Sequence, residues 1–197
     1  MEGFYRNSFY LSQLLNTDSS RQLLFLQEIW TSYSAEDSMC EKFNKYSVQI
    51  STPDQFTHPE DKLGSPDHTW HGTAIMWHES LNSSVLSVAN VHHRFTGIRL
   101  DLQGFTTLAI SLYLPTSGKD EDFLACLVEL SIYIRENTSN SDAVLIGTDS
   151  NCSERSSPRR LQAFTSFVWI THCKKYVVKV QLFTTIMVCQ RLILITS

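Results

Sequence analysis

Apolar residues along the chain are spaced in different ways, and each spacing predicts one kind of element. Residues 23–26 form a continuous apolar run, which is typical of a strand buried on both faces. Residues 96–102 alternate between apolar and polar or small side chains, which predicts a half-buried strand. Further strands are predicted at residues 73–77, 105–114 and 143–146, the last of which ends in Gly147.

Helical spacing follows in the second half of the chain. Four apolar residues lie on one face of a predicted helix: Phe123, Leu127, Leu130 and Ile134. Carboxylates at residues 120–122 open this helix, where they favour the positive end of its dipole. A second helix is predicted around residues 159–167 and a short one at residues 8–15, while Gln103-Gly104 suits a hairpin turn. Strands alternating with helices, plus one hairpin, predict a mixed α/β (α+β) fold.

Composition excludes several broad classes of protein. The chain has 197 residues, 42% of them hydrophobic, and a net charge of -4, so it can bury a core and has no overall basic excess. Its five cysteines form no CxxC pair, which disfavours a disulfide scaffold and favours a reducing, intracellular compartment, nuclear or cytoplasmic. No basic start precedes an apolar run at residues 1–16, and no apolar stretch of about 18 residues exists. We therefore expect neither a signal peptide nor a membrane partner, and the sequence leaves the oligomeric state open.

Polar residues that could take part in catalysis or metal binding follow three of the predicted buried strands. Glu28 follows the first run, Tyr113 lies near the end of the run from residue 105, and Asp149 and Asn151 follow the run from residue 143. Side chains at strand ends face the rim of a fold, where loops and ligands meet. Carboxylate and amide oxygens there suit a hard cation such as Mg²⁺, which keeps several waters. Taken singly, each residue is also compatible with a solvated or capping role.

The order of four motifs adds a resemblance to a known family. LLFLQEIW around Glu28, HGTAIMW at 71–77, SLYLPTSG at 111–118 and VLIGTDSN at 144–151 resemble the endonuclease/exonuclease/phosphatase superfamily. Within it the sequence is most similar to the nuclease domains of LINE-type retroelements and to abasic-site endonucleases. The resemblance covers roughly residues 4–167. It implies a two-sheet β-sandwich flanked by helices and metal-dependent cleavage of phosphodiester or phosphomonoester bonds, with DNA or another nucleic acid as substrate.

The resemblance also assigns a role to each site residue. It implies that Glu28 holds Mg²⁺ (or Mn²⁺) and that Tyr113 contacts the phosphate or the attacking water. Asp149 would orient the water as general base, and Asn151 would position the phosphate. The family more often has glycine directly before this aspartate, whereas here Thr148 separates it from Gly147.

Other residues have two interpretations. The histidine pairs His92-His93 and His71 with His78 lack zinc spacing, so strand or surface positions are favoured. Trp70 and Trp77 suit the core better than base stacking, and Cys126 suits a buried structural thiol. A further set, Arg155, Arg159 and Arg160, suits either a nucleic-acid backbone contact or a solvated helix face.

The last part of the chain departs from the rest in composition. Residues 155–197 hold seven Lys or Arg and no carboxylate. The family's first-strand Asn and its C-terminal Thr-Phe, Ile-Asp-Tyr and final His segments are absent, and His172 has no matching context. Degenerate codons for residues 181–197, read one nucleotide earlier, permit TFHHNNGVSETNIDYF, which resembles the absent segment. We therefore expect a partial domain at residues 1–167 and an atypical tail at 168–197, out of frame or alternatively spliced. The alternative is a genuine tail that folds, and both interpretations predict β structure for its residues, which are rich in Val, Ile, Leu and Thr.

These expectations leave three functions open. The first is a metal-dependent DNA phosphodiesterase or endonuclease domain of retroelement origin, with impaired activity. The second is a catalytically dead remnant or binding module. The third is a lipid or inositol phosphate phosphatase branch of the superfamily.

Overall fold

The computed structural model describes residues 11–13, 15, 23–29, 36–51, 72–102, 104–116, 118–139, 142–152, 156–172 and 177–180. Residues 173–176 and 181–197 of the predicted tail lie outside these residues. Of the predicted short helix at 8–15, residues 11–13 and 15 are described, and they are helical.

The described elements alternate between strands and helices along the chain. The strands are β1 (Leu23–Gln27), β2 (Tyr46–Ser51), β3 (Thr73–His78), β4 (Val85–His92), β5 (Phe95–Leu102), β6 (Phe105–Tyr113), β7 (Ala143–Asp149) and β8 (Val177–Val180). The helices are α1 (Glu36–Lys42), α2 (Asp120–Asn137) and α3 (Pro158–His172), and a 3₁₀ helix spans Glu79–Ser84. The predicted fold class, a β-sandwich flanked by helices, is confirmed.

The strands in the described residues form two sheets. The small sheet has the order β1-β3-β2 and is antiparallel. The large sheet has the order β4-β5-β6-β7-β8, in which β6, β7 and β8 run parallel. Helix α2 connects β6 to β7, and α3 connects β7 to β8. Consequently β6 and β7 end at the same edge of the sheet, which positions the residues that follow them side by side.

Among the described residues, three apolar clusters hold these layers together. One lies between the small sheet and α1, one between the large sheet and helices α2 and α3, and the third between the sheets. The last cluster consists of Phe25, Ile75, Trp77, Ile98, Leu100 and Ala109. Strand β1 supplies side chains to clusters on both of its faces, which confirms the prediction from its continuous apolar run.

Gly147 fixes how closely the two sheets approach each other. A Cβ atom at this position would overlap the Cβ and ring of Phe25 on β1. The glycine therefore has a packing role within β7, which continues past the predicted end at Gly147 to Asp149. Gly147, which lies two residues before Asp149 and not directly before it, thus allows the two sheets to pack closely.

The predicted hairpin between β5 and β6 is confirmed. Gly104 adopts a φ of 88°, and its N–H donates to the Asp101 carboxylate at 2.8 Å. A positive φ at this turn position suits glycine because it has no Cβ. The hairpin brings Phe95 opposite Leu112, and Tyr113 lies beyond this pair at the end of β6.

Helix α3 runs across the predicted domain boundary at residue 167 and ends at His172. Within the predicted tail, β8 pairs in parallel with β7. A genuine tail and an out-of-frame tail both predict β structure, because both interpretations concern the same Val- and Ile-rich residues. Strand β8 therefore does not decide between them, and the division at 167 stays a prediction.

Candidate active site

The four residues predicted from the sequence meet at one edge of the sandwich, which we call the site rim. The Tyr113 hydroxyl, at the end of β6, donates a 2.5 Å hydrogen bond to Glu28 Oε1 after β1. Tyr113 lies opposite Asp149 in the parallel pairing of β6 with β7. Asn151 donates through its side chain to the Leu114 carbonyl at 2.7 Å and through its backbone N–H to Asp149 Oδ1 at 3.1 Å. The site rim therefore joins both sheets.

Two of these residues have left-handed backbone conformations. Glu28 has a φ of 51° and Asn151 a φ of 45°, and they are the only non-glycine residues with positive φ in the described residues. Asparagine tolerates this region, whereas glutamate adopts it rarely. Such conformations cost roughly 1–3 kcal/mol and persist where the surroundings impose them, often at functional sites. The strain thus coincides with the predicted site.

The protonation of the rim is shifted by its surroundings. Burial raises the pKa of Asp149; the Asn151 N–H opposes this shift, and the nearby Glu28 carboxylate adds to it. Burial and the hydrogen bond to Glu28 also raise the pKa of Tyr113 well above its usual range. Tyr113 therefore stays a neutral hydroxyl that donates to Glu28, and Asp149 binds a proton more readily than an exposed aspartate does.

A buried polar network behind the rim was not predicted from the sequence. Gln27 Nε2 donates to Ser111 Oγ at 3.0 Å and to the Gly147 carbonyl at 3.1 Å. Ser111 in turn donates to the Leu26 carbonyl at 2.9 Å. These bonds connect β1 of the small sheet with β6 and β7 of the large sheet. They hold the residue before Glu28 in place, so the network supports the position of that carboxylate.

A second unpredicted contact supports Tyr113 from its other side. The Arg94 guanidinium lies 5.8 Å from the centre of the Tyr113 ring, within the range of a cation–π interaction. The backbone N–H of Tyr113 donates to the Arg94 carbonyl at 2.8 Å. Arginine before β5 carried no signal of this role in the sequence, because the contact forms only once β5 and β6 pair.

The donor groups at the rim are two carboxylates, a phenol and an amide, which are oxygen donors suited to a hard divalent cation. The described residues contain no group of three or more His, Cys, Asp or Glu side chains that could hold a metal ion. Mg²⁺, however, is commonly bound by one or two carboxylates and retains several waters. Glu28 and Asp149 are close enough for the Glu28 charge to raise the pKa of Asp149. Two neighbouring carboxylates fit Mg²⁺ better than Zn²⁺, which prefers a complete set of nitrogen or sulfur ligands.

Several other candidate residues from the sequence contribute to packing and hydrogen bonding within the fold. Cys126 is 2% exposed, and burial raises the pKa of its thiol to about 12, so it is an unreactive core thiol as predicted. Trp77 belongs to the core, and its Nε1 donates to Asn82 at 2.9 Å. His92 accepts from the Arg94 N–H at 3.2 Å and faces Glu129 at 3.1 Å. Trp70, His71 and Arg155 lie outside the described residues.

Arg160 differs from both interpretations of the arginine group. Its side chain is 1% exposed and packs over the Phe123 ring at 4.0 Å. It therefore lies neither on a solvated helix face nor at a surface that could contact a nucleic-acid backbone. Arg159 does lie on the solvated face of α3, where it pairs with Glu121.

Solved structures with the same architecture exist, although the sequences are distant. No protein-family model and no curated protein matches the chain. An AP endonuclease from Archaeoglobus fulgidus aligns at a TM-score of 0.58 and 14% identity, over 85% of this chain and 67% of that one. A humanized TDP2 from D. rerio aligns at a TM-score of 0.56 and 13% identity, over 78% of this chain and 62% of that one. The endonuclease domain of TRAS1, a telomere-specific non-LTR retrotransposon, aligns at a TM-score of 0.51 and 11% identity, over 82% of this chain and 63% of that one.

The chain thus spans about three fifths of the length of the last two structures. No helix in the described part of the chain is long and apolar enough to cross a membrane. The sandwich of two sheets and the structural matches agree with the family that the four ordered motifs predicted. The chain has the fold of the endonuclease/exonuclease/phosphatase superfamily.

Proposed function

We propose that the chain is a metal-dependent phosphodiesterase domain that cuts DNA. The observation that carries this proposal is the convergence of Glu28, Tyr113 and Asp149 at one rim, where both sheets contribute. An acidic pair at strand ends, held by a buried network, suits the binding and hydrolysis of a phosphate ester. The described cysteines nearest to this part of the fold, Cys126 and Cys152, are both buried, so neither is an exposed nucleophile at the rim.

Asp149 is the proposed general base. Its raised pKa brings it closer to neutral pH, where a base combines availability with driving force for proton transfer. The hydrogen bond from the Asn151 N–H fixes one carboxylate oxygen, which leaves the other to orient a water. Asn151 is itself held by the Leu114 carbonyl, so its amide is positioned beside the base for a phosphate oxygen.

Glu28 is the proposed metal ligand. The Tyr113 hydroxyl occupies one of its oxygens, which orients the carboxylate and leaves Oε2 for the ion. When bound, Mg²⁺ would supply positive charge for the phosphate oxygens. Tyr113 then acts by orienting Glu28, in addition to the phosphate contact expected from the resemblance.

Structural neighbours support nucleic acid as the substrate. D. rerio TDP2 was crystallised with a single-strand DNA product, and it aligns at a TM-score of 0.53 and 12% identity. The two other neighbours are named as an AP endonuclease and a retrotransposon endonuclease domain. The retroelement origin of this chain belongs to the same proposal, supported by the LINE-like motif order.

We further propose that activity is impaired. Residues 168–197 do not contain the Thr-Phe, Ile-Asp-Tyr and final His segments that the resemblance leads us to expect after residue 167. An electrostatic group of this kind contributes roughly 10²–10³ in rate. Its loss would leave slow cleavage at the rim.

A plasmid-nicking assay tests both parts of the proposal. Purified chain with Mg²⁺ should nick supercoiled DNA slowly, Asp149→Asn should abolish this residual activity, and EDTA should do the same. Asp37→Asn, an exposed aspartate of α1, is the matched control and should nick like the parent chain. Residual nicking that survives Asp149→Asn would contradict the assignment of the base. Fast nicking that Asp149→Asn abolishes would contradict the impairment alone.

A further inference from the structure

Helix α2 carries apolar side chains on the face that points away from the core as well as on the face that covers the large sheet. On the outer face, Val128 is 59% exposed and Ile132 is 38% exposed, and Leu124 is partly exposed. Their spacing of four residues places these three side chains in one line along the helix, which we call the outer stripe. A helix that covers one sheet normally presents polar residues to water on this face. Single exposed apolar residues are common, whereas a continuous apolar stripe indicates a contact surface.

Charged residues of opposite sign lie at the two ends of the outer stripe. Glu121 is three residues before Leu124, and Arg135 is three residues after Ile132, so both lie on the same helix face as the stripe. Arg135 is exposed, and the Glu121 side chain stays 78% exposed although it pairs with Arg159 of α3. The outer face of α2 therefore changes from acidic through apolar to basic along the helix.

This order is complementary to itself when two copies of α2 pair antiparallel. Leu124 and Ile132 each lie four residues from Val128, and Glu121 and Arg135 each lie seven residues from it. A two-fold axis at Val128 therefore places Leu124 opposite Ile132 of the second copy and Glu121 opposite Arg135 of the second copy. A parallel pair would instead bring like charges together at both ends, which favours the antiparallel arrangement.

From the outer stripe and the opposite charges at equal distances from Val128, we propose that the outer face of α2 binds a second copy of this chain as an antiparallel helix pair. The inference goes beyond the proposed function and does not depend on it. Residues 121–135 extend over about 21 Å of helix, so the contact is smaller than a standard protein interface. Three further carboxylates, Asp122, Glu129 and Glu136, lie on one flank of α2 outside the stripe. The dimer should therefore be weak, with a dissociation constant on the order of 10–100 μM.

Sedimentation of the full chain over a series of concentrations tests the association. The parent chain should shift from monomer to dimer, and Val128→Lys should weaken the dimer roughly tenfold or more, because it places two like charges together at the two-fold axis. This variant should fold, since residue 128 is exposed and lysine favours a helix at least as well as valine does. Phe105→Lys is the matched control. Phe105 is 63% exposed at the start of β6, away from α2, and its replacement should leave the dimer unchanged.

Charge exchange at the ends of the stripe tests the antiparallel orientation. Arg135→Glu should weaken the dimer roughly two- to fivefold, because it places a carboxylate opposite Glu121 of the second copy. Adding Glu121→Lys should recover part of this loss, since opposite charges then face each other again. The recovery should be incomplete because residue 121 also contacts Arg159 within its own chain. In a parallel pair Arg135→Glu would exchange one like-charge pair for another and leave the affinity unchanged, and that result would overturn the antiparallel pairing.

Other outcomes decide whether a second copy occupies the outer stripe at all. A parent chain that stays monomeric at about 500 μM would overturn a second copy as the occupant. A dimer that Val128→Lys leaves intact would show that the chains associate through another surface and would also overturn the proposal. Species larger than dimers that Phe105→Lys reduces equally would indicate non-specific association, with the same consequence. Val128→Lys should nick DNA at the rate per chain of the parent, so loss of the dimer and failure of the proposed function are distinguishable.

Discussion

The layer between the two sheets has an apolar middle and a polar end at the site rim. In the middle, Phe25, Ile98 and Leu100 pack without polar partners. Toward the rim, four buried polar residues connect the sheets: Gln27, Ser111, Thr73 and Thr96. The Thr73 and Thr96 hydroxyls lie 2.9 Å apart, and Thr96 also reaches the Thr73 carbonyl at 3.3 Å.

The difference between these regions separates stability from site geometry. Apolar packing has no preferred direction and tolerates changes of similar volume. Hydrogen bonds between sheets fix a distance and an orientation, because both weaken steeply outside a narrow range. The polar end therefore determines where Glu28 lies relative to Asp149, whereas the apolar middle mainly keeps the sheets together.

The largest expected effect comes from the apolar middle. Ile98→Ala should lower the free energy of unfolding by about 2–5 kcal/mol, since it leaves a cavity between the sheets. The affinity for Mg²⁺ measured by calorimetry should change little at a temperature where the variant is folded. Urea unfolding gives the first quantity. A large loss of Mg²⁺ affinity in folded protein would show that the two regions are not separable.

The next effect tests the boundary between the regions. Gly147→Ala should cost about 1–3 kcal/mol and also weaken Mg²⁺ binding, because the added methyl overlaps Phe25 and forces β1 from β7. Combining it with Phe25→Ala should relieve the overlap with the ring while the Cβ atom of residue 25 stays in place, so the cost of the pair should fall below the sum of the two single costs. A double-mutant cycle by urea unfolding measures this coupling. Strictly additive costs would contradict the proposed contact.

A smaller stability effect with a clear site effect is expected at the polar end. Gln27→Met keeps the volume but removes the side-chain hydrogen bonds to Ser111 and to the Gly147 carbonyl, at a cost of about 0.5–1.5 kcal/mol for each bond. Mg²⁺ affinity should fall because Glu28 loses its neighbouring support. Gln49→Met on β2 is the matched control, since the bond that the Gln49 side chain makes within the described part of the chain is a 3.4 Å contact to the carbonyl of the adjacent residue. Similar effects of the two variants on Mg²⁺ would count against the network.

Local pattern predicted the elements whose side chains alternate or run without interruption. It missed β4, where register shifts at Val85/Ser87 and Asn90/His92 break the alternation. It also missed the short helix α1, which buries Met39 and little else within its seven residues. Strand β2 does alternate, with Tyr46, Val48 and Ile50 buried, so local pattern does mark this strand, and it is absent from the predicted elements.

In the site, too, the sequence predicts the residues that local pattern marks and misses the contacts that depend on packing. Glu28, Tyr113, Asp149 and Asn151 are marked by their places at strand ends and by motif order. Gln27 and Ser111 are 84 residues apart, and their hydrogen bond depends on how the sheets pack. No local spacing encodes such a contact. Arg160 was singled out, but its burial follows from the approach of α3 to Phe123.

The smallest expected effect is the loss of stability that the ionised Asp149 carboxylate causes at neutral pH. Burial raises the pKa of Asp149 in the folded chain, so the folded state binds a proton more tightly than the unfolded state does. Stability is therefore lost as pH rises from the usual aspartate pKa, about 3.9, through the raised value. Asparagine cannot titrate, so Asp149→Asn should be more stable than the parent chain at neutral pH.

The gain from Asp149→Asn should stay below about 1 kcal/mol, because Asp149 is partly exposed and water screens its charge. Urea unfolding across pH should show the difference shrinking as pH falls toward about 4, where both states of the parent become protonated. Mg²⁺ should reduce the difference at neutral pH, since it stabilises only the chain that retains the carboxylate pair. Asp37→Asn should show neither trend. A variant that is less stable than the parent at neutral pH would contradict this prediction. It would mean that the Asp149 carboxylate stabilises the fold through its hydrogen bond from the Asn151 N–H.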